Sequence, residues 1–575
     1  MATTEEFDII VVGAGISGIY AAKFYLDIHP KCRLAILDRD TCVGGTWNSR
    51  RSYDSFWTQW TVGTAEFSDL PMTRPPESDI FYEFFKGKHT TNYLETYVDH
   101  FKHSGKTLRE RIIFSTEVQS VLKTSEGWTL FTKHRKTDVE QSFRTSKLIV
   151  ASGLTSIPNV PAFKGQDQYG REIIHQENFG SSDVLTSPDV KNVTVLGGGK
   201  SSADMVYSAI KHGKTVSWVL KASDTTGPGF MFSPKGKGPY KNAFALGTTR
   251  AAATFTPSVL TPYTWWTKLL HSTKYGVRMM QAFWGTVDEE ARKEANFEGR
   301  ENLQGFEKLA PHGSIFWQNG TGGLLNHEDF FDTVASGARI YSADVVGLEK
   351  GKVVLSTGES LDSDVILCGT GWVPSIKFFT EEQRRQLGLP HSLSSVPAEE
   401  SDHWSQLEKA ADLKVVTKFP QLGDPPAHYH RKPTTTPYRL YKYMVPIPSS
   451  EDLKNDRSIV FIGQIIAGNY FPGVQCQAMW ATAYMDNKLE LPSREEQEKD
   501  VALLTTWCRR RYLSSGEEGH NITFELFGYT DGLLETLGLT SHKKGWFKNL
   551  FASIFAKDFV GLKDEYVRKY GCDEE

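Results

Sequence analysis

Apolar residues cluster along this chain in short unbroken runs rich in Val and Ile. The clearest are FDIIVV (7–12), RLAILD (33–38), LIVASG (148–153), VTVLGGG (193–199), TVSWVLK (215–221) and SIVFIGQ (458–464). A run without polar alternation predicts a strand buried on both faces, as in a parallel sheet covered by helices. The first run leads through GAGISG into the helical IYAAKFYLDI, and the fourth leads through three glycines into SSADMVYSAIKHG. Two βαβ units follow from this pattern. Further strands are predicted over 112–121 and 127–133, and helices over 93–104 and 474–485. Pro158 and Pro161 mark a linker, because proline and the residue before it favour extended backbone.

The remaining chain departs from the βα pattern. Residues 224–330 are Gly- and Pro-rich at first, then helical and aromatic around Trp265, Trp266 and Phe283–Trp284, and read as an insertion. Strand character returns from 338. Residues 374–455, proline-marked from Pro374 to Pro448, read as irregular, and 495–575 as helical. The expected fold is α/β with two Rossmann-like dinucleotide-binding domains, the second inserted in the first, plus a helical insertion and a helical C-terminal tail. The expected boundaries are a first domain over 1–160 and 346–495, a second over 161–345, and an extension over 496–575.

Each βα turn suggests a phosphate cradle. In Gly13-Ala14-Gly15-Ile16-Ser17-Gly18, Gly13 permits the turn, Gly15 lets a pyrophosphate approach the backbone, and Gly18 lets helix and strand pack closely. The helix N-terminus offers unpaired N–H groups to phosphate. Asp38, 25 residues beyond Gly13 at the end of the next strand, is placed to accept from ribose hydroxyls. In the second turn, Gly197, Gly199, Lys200, Ser201 and Ser202 occupy the corresponding places, with serine where the third glycine belongs. The strand after it ends in Lys221 rather than an acid, which favours a 2′-phosphate and so NADPH. Two distinct nucleotide sites suit a flavin dinucleotide and a nicotinamide donor.

Composition narrows the acceptor. Lys plus Arg number 65 and Asp plus Glu 69, a net charge of −4, and no basic block suggests nucleic-acid binding. No apolar run has the length of a membrane span, and the N-terminal stretch lacks signal-peptide features. The six cysteines are scattered without a CxxC or CxxxxC pair, which predicts reduced intracellular thiols, a cytoplasmic setting, no metal site and no dithiol relay. His428 and His430 stand two apart without a third metal ligand nearby. Dioxygen is the simplest remaining electron acceptor.

Gly44-Gly45-Thr46-Trp47 after Asp38, the two glycine motifs, DVILCGTGW (364–372) and VQCQAMWATAYM (474–485) together resemble the class B flavin monooxygenases. That group contains the flavin-containing N/S-monooxygenases and the Baeyer–Villiger monooxygenases. The resemblance implies bound FAD and NADPH, O2 as co-substrate, and oxygen transfer through a C4a-hydroperoxyflavin. It implies a flavin site at Gly13, Gly15, Ser17, Gly18, Asp38, Gly45, Thr46, Trp47, Val118, Thr370 and Gly371. Residues 53–71 resemble the N/S-oxygenating branch, and by that alignment Gln59 falls where the family places a flavin-side Asn. The Tyr-Pro-Gly and Trp-Pro signatures of the ketone-oxidising branch are absent, and the linker fingerprint is displaced, with Phe163 and Gly165 well before His175. The expected reaction is therefore oxygenation of a bulky apolar small molecule, in the manner of natural-product tailoring. Baeyer–Villiger oxidation and a non-catalytic flavin scaffold are the alternatives. The aromatic WFKNLFASIF (546–555) reads as a docking or substrate-channel helix.

Overall fold

The computed structural model describes residues 4–223, 228–229, 231–300, 304–317, 322–426, 433–447, 456–525 and 527–574. His428 and His430 lie outside the described residues. The first sheet runs, edge to edge, through Ile112–Ile113, Leu34–Leu37, Thr4–Val12, Glu140–Val150, Gly127–His134 and Thr116–Thr124. Ile459–Phe461 pairs in parallel with the last turn of residues in Glu140–Val150, so that Ile149 faces Val460. The apolar runs supply its parallel strands, and the antiparallel pair Thr116–Thr124 and Gly127–His134 closes one edge.

The second sheet is wholly parallel, in the order Glu172–His175, Val365–Cys368, Asn192–Leu196, Thr215–Leu220, Ala338–Ser342. Val365–Cys368 therefore sits inside the second unit, between two of its strands. The expected boundary at 345/346 moves to about Cys368. Chain crossings between the units lie side by side, with Ile157–Pro158 paired antiparallel to Trp372–Val373.

Two helical readings also change. The stretch after Pro374 contains a 21-residue helix, Ala398–Lys418, that begins directly after Pro397 and stops before Pro420. Proline is tolerated at the start of a helix and ends it when it follows, so the prolines bracket this element rather than break it. The predicted helix over 93–104 spans Lys88–His100.

The tail is not an appendage. Helix Arg494–Arg511 packs on Ala398–Lys418, and Ile466 donates to and accepts from the 520–522 backbone like a strand. Gln477 donates to the Tyr529 hydroxyl at 2.8 Å, and that hydroxyl donates to the Lys442 carbonyl at 2.8 Å. Insertion and tail meet at Arg511, which is fully buried, donates to the Phe316 carbonyl and lies 4.5 Å over the Phe316 ring. Trp507 donates to the Pro257 carbonyl at 2.7 Å.

Burial there raises the Glu525 carboxyl to about 7. A carboxyl held above its unfolded value binds its proton more tightly in the folded state. Its stabilising contribution is complete below about pH 4.5 and is lost as pH rises towards 7. Glu525→Gln removes that titration, so the stability gap between variant and wild type should change by about 3 kcal/mol between pH 4.5 and 7.5. Denaturant titrations across that range check it, and a gap that stays constant refutes it.

Candidate active site

Three glycines of the first turn do three different jobs. Gly13 has φ +109°, and a Cβ there would lie 2.5 Å from the Ala151 carbonyl oxygen. A Cβ on Gly18 would lie 1.8 Å from the Gly13 oxygen, so helix Ile16–Ile28 can seat on its strand only with glycine. Gly15 differs: its added Cβ would meet nothing nearer than the Gly45 Cα at 3.8 Å. The protein does not need a glycine there, and the open backbone at a helix N-terminus fits a pyrophosphate. Ser17, the second residue of that helix, has its hydroxyl 2.8 Å from the Tyr470 hydroxyl.

Asp38 is buried, and both its oxygens accept backbone N–H groups, from Ala14 at 2.5 Å and Asp40 at 2.7 Å. Burial pushes its carboxyl upward, against those two bonds. Asp38 thus shapes the glycine turn directly, with a second lone pair on each oxygen left for ribose. Val118 stands half-buried two residues past Thr116, whose N–H donates to the Asp38 carbonyl at 2.8 Å.

Gly44 and Gly45, both at positive φ, place the next turn against Gly15. The Thr46 hydroxyl meets that of Thr155 at 2.6 Å. Trp47 packs against Phe56 and Trp60, with ring centroids 4.9 and 5.1 Å away, and Trp60 stacks on Tyr470. Gln59 precedes Trp60 on strand Trp57–Thr61 and donates through Nε2 to Asn326 Oδ1 at 3.0 Å. A Cβ on Gly323 would lie 2.7 Å from Gln59 Oε1 and 3.2 Å from Lys200 Cδ. The end of the insertion is therefore wedged between Gln59 and the second glycine turn. Its His327 stacks on Tyr207 at 4.0 Å and is held neutral by burial, its pKa lowered to about 4.

In that second turn Gly197 has φ +113°, and its Cβ would lie 2.4 Å from the Gly369 oxygen. Gly199 precedes helix Lys200–Lys211, and Ser201 is the helix's second residue. Ser202 is fully buried and donates to the Leu196 and Gly369 carbonyls at 3.2 and 3.3 Å, which is how a serine occupies the third glycine's place. The Lys200 ammonium is paired with both oxygens of Asp204, at 2.6 and 2.8 Å. The Tyr53 hydroxyl, from the first unit, reaches Asp204 at 3.3 Å. The i,i+4 spacing of Lys200 and Asp204 was the available signal for this pair. Lys221 follows its strand and is exposed. The neighbouring strand brings Asp344 to that end, where Ser223 donates to it at 2.7 Å.

Thr370 and Gly371 stand at the crossing between the units. The Thr370 hydroxyl donates to the Asn159 carbonyl at 2.6 Å, and Gly371, at φ +80°, accepts from the Asn159 N–H at 3.1 Å. His175 closes the same crossing. Its Nδ1 accepts the Glu177 N–H, so Nε2 carries the proton and donates to the Gly371 carbonyl at 2.9 Å. Glu177 in turn binds Arg39 and Arg51, at 2.8 and 2.7 Å. Thr370, Gly371 and His175 were named by the family resemblance, but their partners Asn159, Glu177, Arg39 and Arg51 were not, because the contacts that join the two units link segments more than a hundred residues apart.

This double cradle has counterparts. The model of the family described as pyridine nucleotide-disulphide oxidoreductase matches residues 10–244. An FAD-dependent monooxygenase of Pyrenophora dematioidea is 31% identical over 94% of this chain and 99% of its own. The FAD-dependent monooxygenase rstn6 of Aspergillus nomiae is 30% identical over 99% of both chains. Among solved structures, the closed form of a cyclohexanone monooxygenase superposes with a TM-score of 0.59 at 16% identity, covering 99% of this chain and 98% of that one, a likeness of fold. With relatives of that identity over its whole length, the chain belongs to the FAD-dependent monooxygenases.

Proposed function

We propose that this monooxygenase transfers oxygen to an electron-rich atom of a bulky, largely apolar small molecule, with heteroatom oxidation first and hydroxylation or epoxidation next. When bound, FAD supplies reduction by NADPH and activation of O2. The chain's own residues do the rest. The first glycine turn and Asp38 bind, and the second glycine turn with Lys221 holds the donor. Trp47, Trp60 and Tyr470 present apolar surface that excludes water, and Gln59 offers an amide hydrogen-bond donor or acceptor beside them.

The observation that carries the reaction class is the state of Lys200. Attack on a ketone needs negative charge held on oxygen near the flavin, whereas transfer to an electron-rich atom needs a retained proton. The cation next to Gln59 is already neutralised by Asp204. This favours the protonated route. The test is anaerobic bleaching of the yellow protein by NADPH, then turnover under labelled O2 with amines, thioethers, alkenes, phenols and ketones. One labelled oxygen in an N-, S- or C-oxygenated product is expected. Efficient ester or lactone formation from ketones, with no other product, overturns it.

NADPH should be preferred over NADH because the exposed Lys221 stands directly after the strand that reads the ribose. A partly screened ion pair with phosphate contributes about 1–3 kcal/mol, or roughly 5- to 150-fold in selectivity. In Lys221→Glu the ratio of kcat/KM values should fall to unity or invert. Equal kinetics with both donors in the wild type would exclude the assignment.

A further inference from the structure

Residues 225–287 contain no Asp or Glu, although the chain as a whole carries slightly more acidic than basic residues. Seven Lys and Arg fall within that stretch. Lys235, Lys237, Lys241 and Arg250 are paired with acids from elsewhere in the chain, Glu294, Glu290, Glu83 and Asp531. The other three, Lys268, Lys274 and Arg278, are exposed and form no ion pair with any described residue.

These three cations lie on two consecutive helices, Trp265–Ser272 and Lys274–Ala295, that share Thr273 as cap and cross closely at Gly276. The second helix buries Gly276, Met280 and Trp284 and leaves the adjoining face outside. On that outer face Tyr275 is 67% exposed and Met279 46%, with Arg278 beside them; on the first helix Trp265 is 77% exposed, one turn from Lys268. Tyr263, 42% exposed, reaches the Ser272 hydroxyl at the corner between the helices, with the Lys418 ammonium 4.7 Å over its ring.

We propose that this helix pair is a docking surface for an anionic phospholipid bilayer. From Tyr263 to Met279, exposed Trp, Tyr and Met interleave with Lys and Arg and with no acid, the second helix's acids beginning only at Asp288; that is the composition of a segment that lies in the headgroup plane. Tryptophan and tyrosine suit that depth because one end of the ring is apolar and the other accepts water. Among the described residues no helix is long and apolar enough to cross a membrane, and the attachment proposed is a peripheral one. A bilayer is favoured over a protein partner because the cations are spread over two helices rather than gathered round one acidic pocket. The proposal does not depend on the reaction class proposed above.

The test is flotation of the flavin-loaded protein with vesicles of phosphatidylcholine alone and with about one-third phosphatidylserine, at low and high salt. Binding to the anionic vesicles, weakened by salt, is expected. The triple variant Lys268→Glu, Lys274→Glu, Arg278→Glu should lower the partition coefficient by at least about 100-fold, at roughly fivefold per cation removed and more for each charge reversed. Trp265→Ser with Tyr275→Ser should also weaken it, with flavin content and turnover of a soluble substrate unchanged in both. Equal binding to both vesicle types, binding to neither, or variants that bind like the wild type would each overturn the proposal. A concentration-dependent dimer abolished by the same variants, without vesicle binding, would assign the face to a second copy of the chain and equally overturn it.

Discussion

Gly18→Ala should cripple the folded protein, whereas Gly15→Val should leave it folded and colourless. The Gly18 Cβ would sit 1.8 Å from the Gly13 oxygen, and Gly13 is itself pinned against Ala151. Neither backbone segment can yield, so the helix must lift from its strand at about 3 kcal/mol or more. At Gly15 the backbone has φ −81° and ψ −176°, ordinary values for any residue, with open space where the side chain would go. Valine there costs the apoprotein little but fills the approach a pyrophosphate needs. Losing two charge-assisted backbone hydrogen bonds, at about 1.5–3 kcal/mol each, weakens FAD by roughly 100- to 10,000-fold. Thermal unfolding of the two apoproteins and flavin absorbance after reconstitution separate the effects. Full flavin content in a folded Gly15→Val, or a wild-type melting temperature in Gly18→Ala, contradicts this division of roles.

Gln59→Ala should uncouple the enzyme. The side chain lies outside both glycine turns, on strand Trp57–Thr61, and is oriented by Asn326. Flavin content and reduction by NADPH should therefore persist. Removing one preorganised hydrogen-bonding group from a reacting centre costs on the order of 100-fold in rate. Oxygenated product per NADPH should fall accordingly, and the electrons should appear as hydrogen peroxide. Asn326→Ala, which removes the acceptor while leaving Gln59 in place, should give a weaker version of the same shift. An unchanged coupling ratio in Gln59→Ala removes that residue from the chemistry.

Much of the architecture was legible because its signals are local. A strand, a glycine turn and a helix are contiguous, so both cradles could be read from FDIIVVGAGISG and VTVLGGGKSS. Sheet membership was not, since the apolar run VILC says that a strand is buried but not beside which strand. Its place between Glu172–His175 and Asn192–Leu196 moved the domain boundary. Helix Ala398–Lys418 was hidden by the prolines at its two ends. At the site, residue types were readable and their partners were not. Lys200 is an apt phosphate ligand by type, yet the structure assigns its charge to Asp204. Asn326 reaches Gln59 from the far end of an insertion that has no local motif.

The strand Ile459–Phe461 has a consequence for how the molecule is made. It seats beside Ile149, and helix Tyr470–Met485, buried from Phe471 onward, covers helix Ile16–Ile28. During synthesis the second sheet has all five strands once Cys368 emerges, but the first must wait for Phe461. At about 5–20 residues per second, the inner edge of Glu140–Val150 stays uncovered for roughly 15–60 s. Order of closure is therefore inverted with respect to the chain: the second sheet sets first and the first sheet last. If the first glycine turn holds FAD as proposed, its loading is a late, effectively post-translational event. Slowing elongation, or stopping it before Phe461 is made, exposes a Leu/Ile/Val strand edge, Leu148 to Val150, to chaperones and to aggregation.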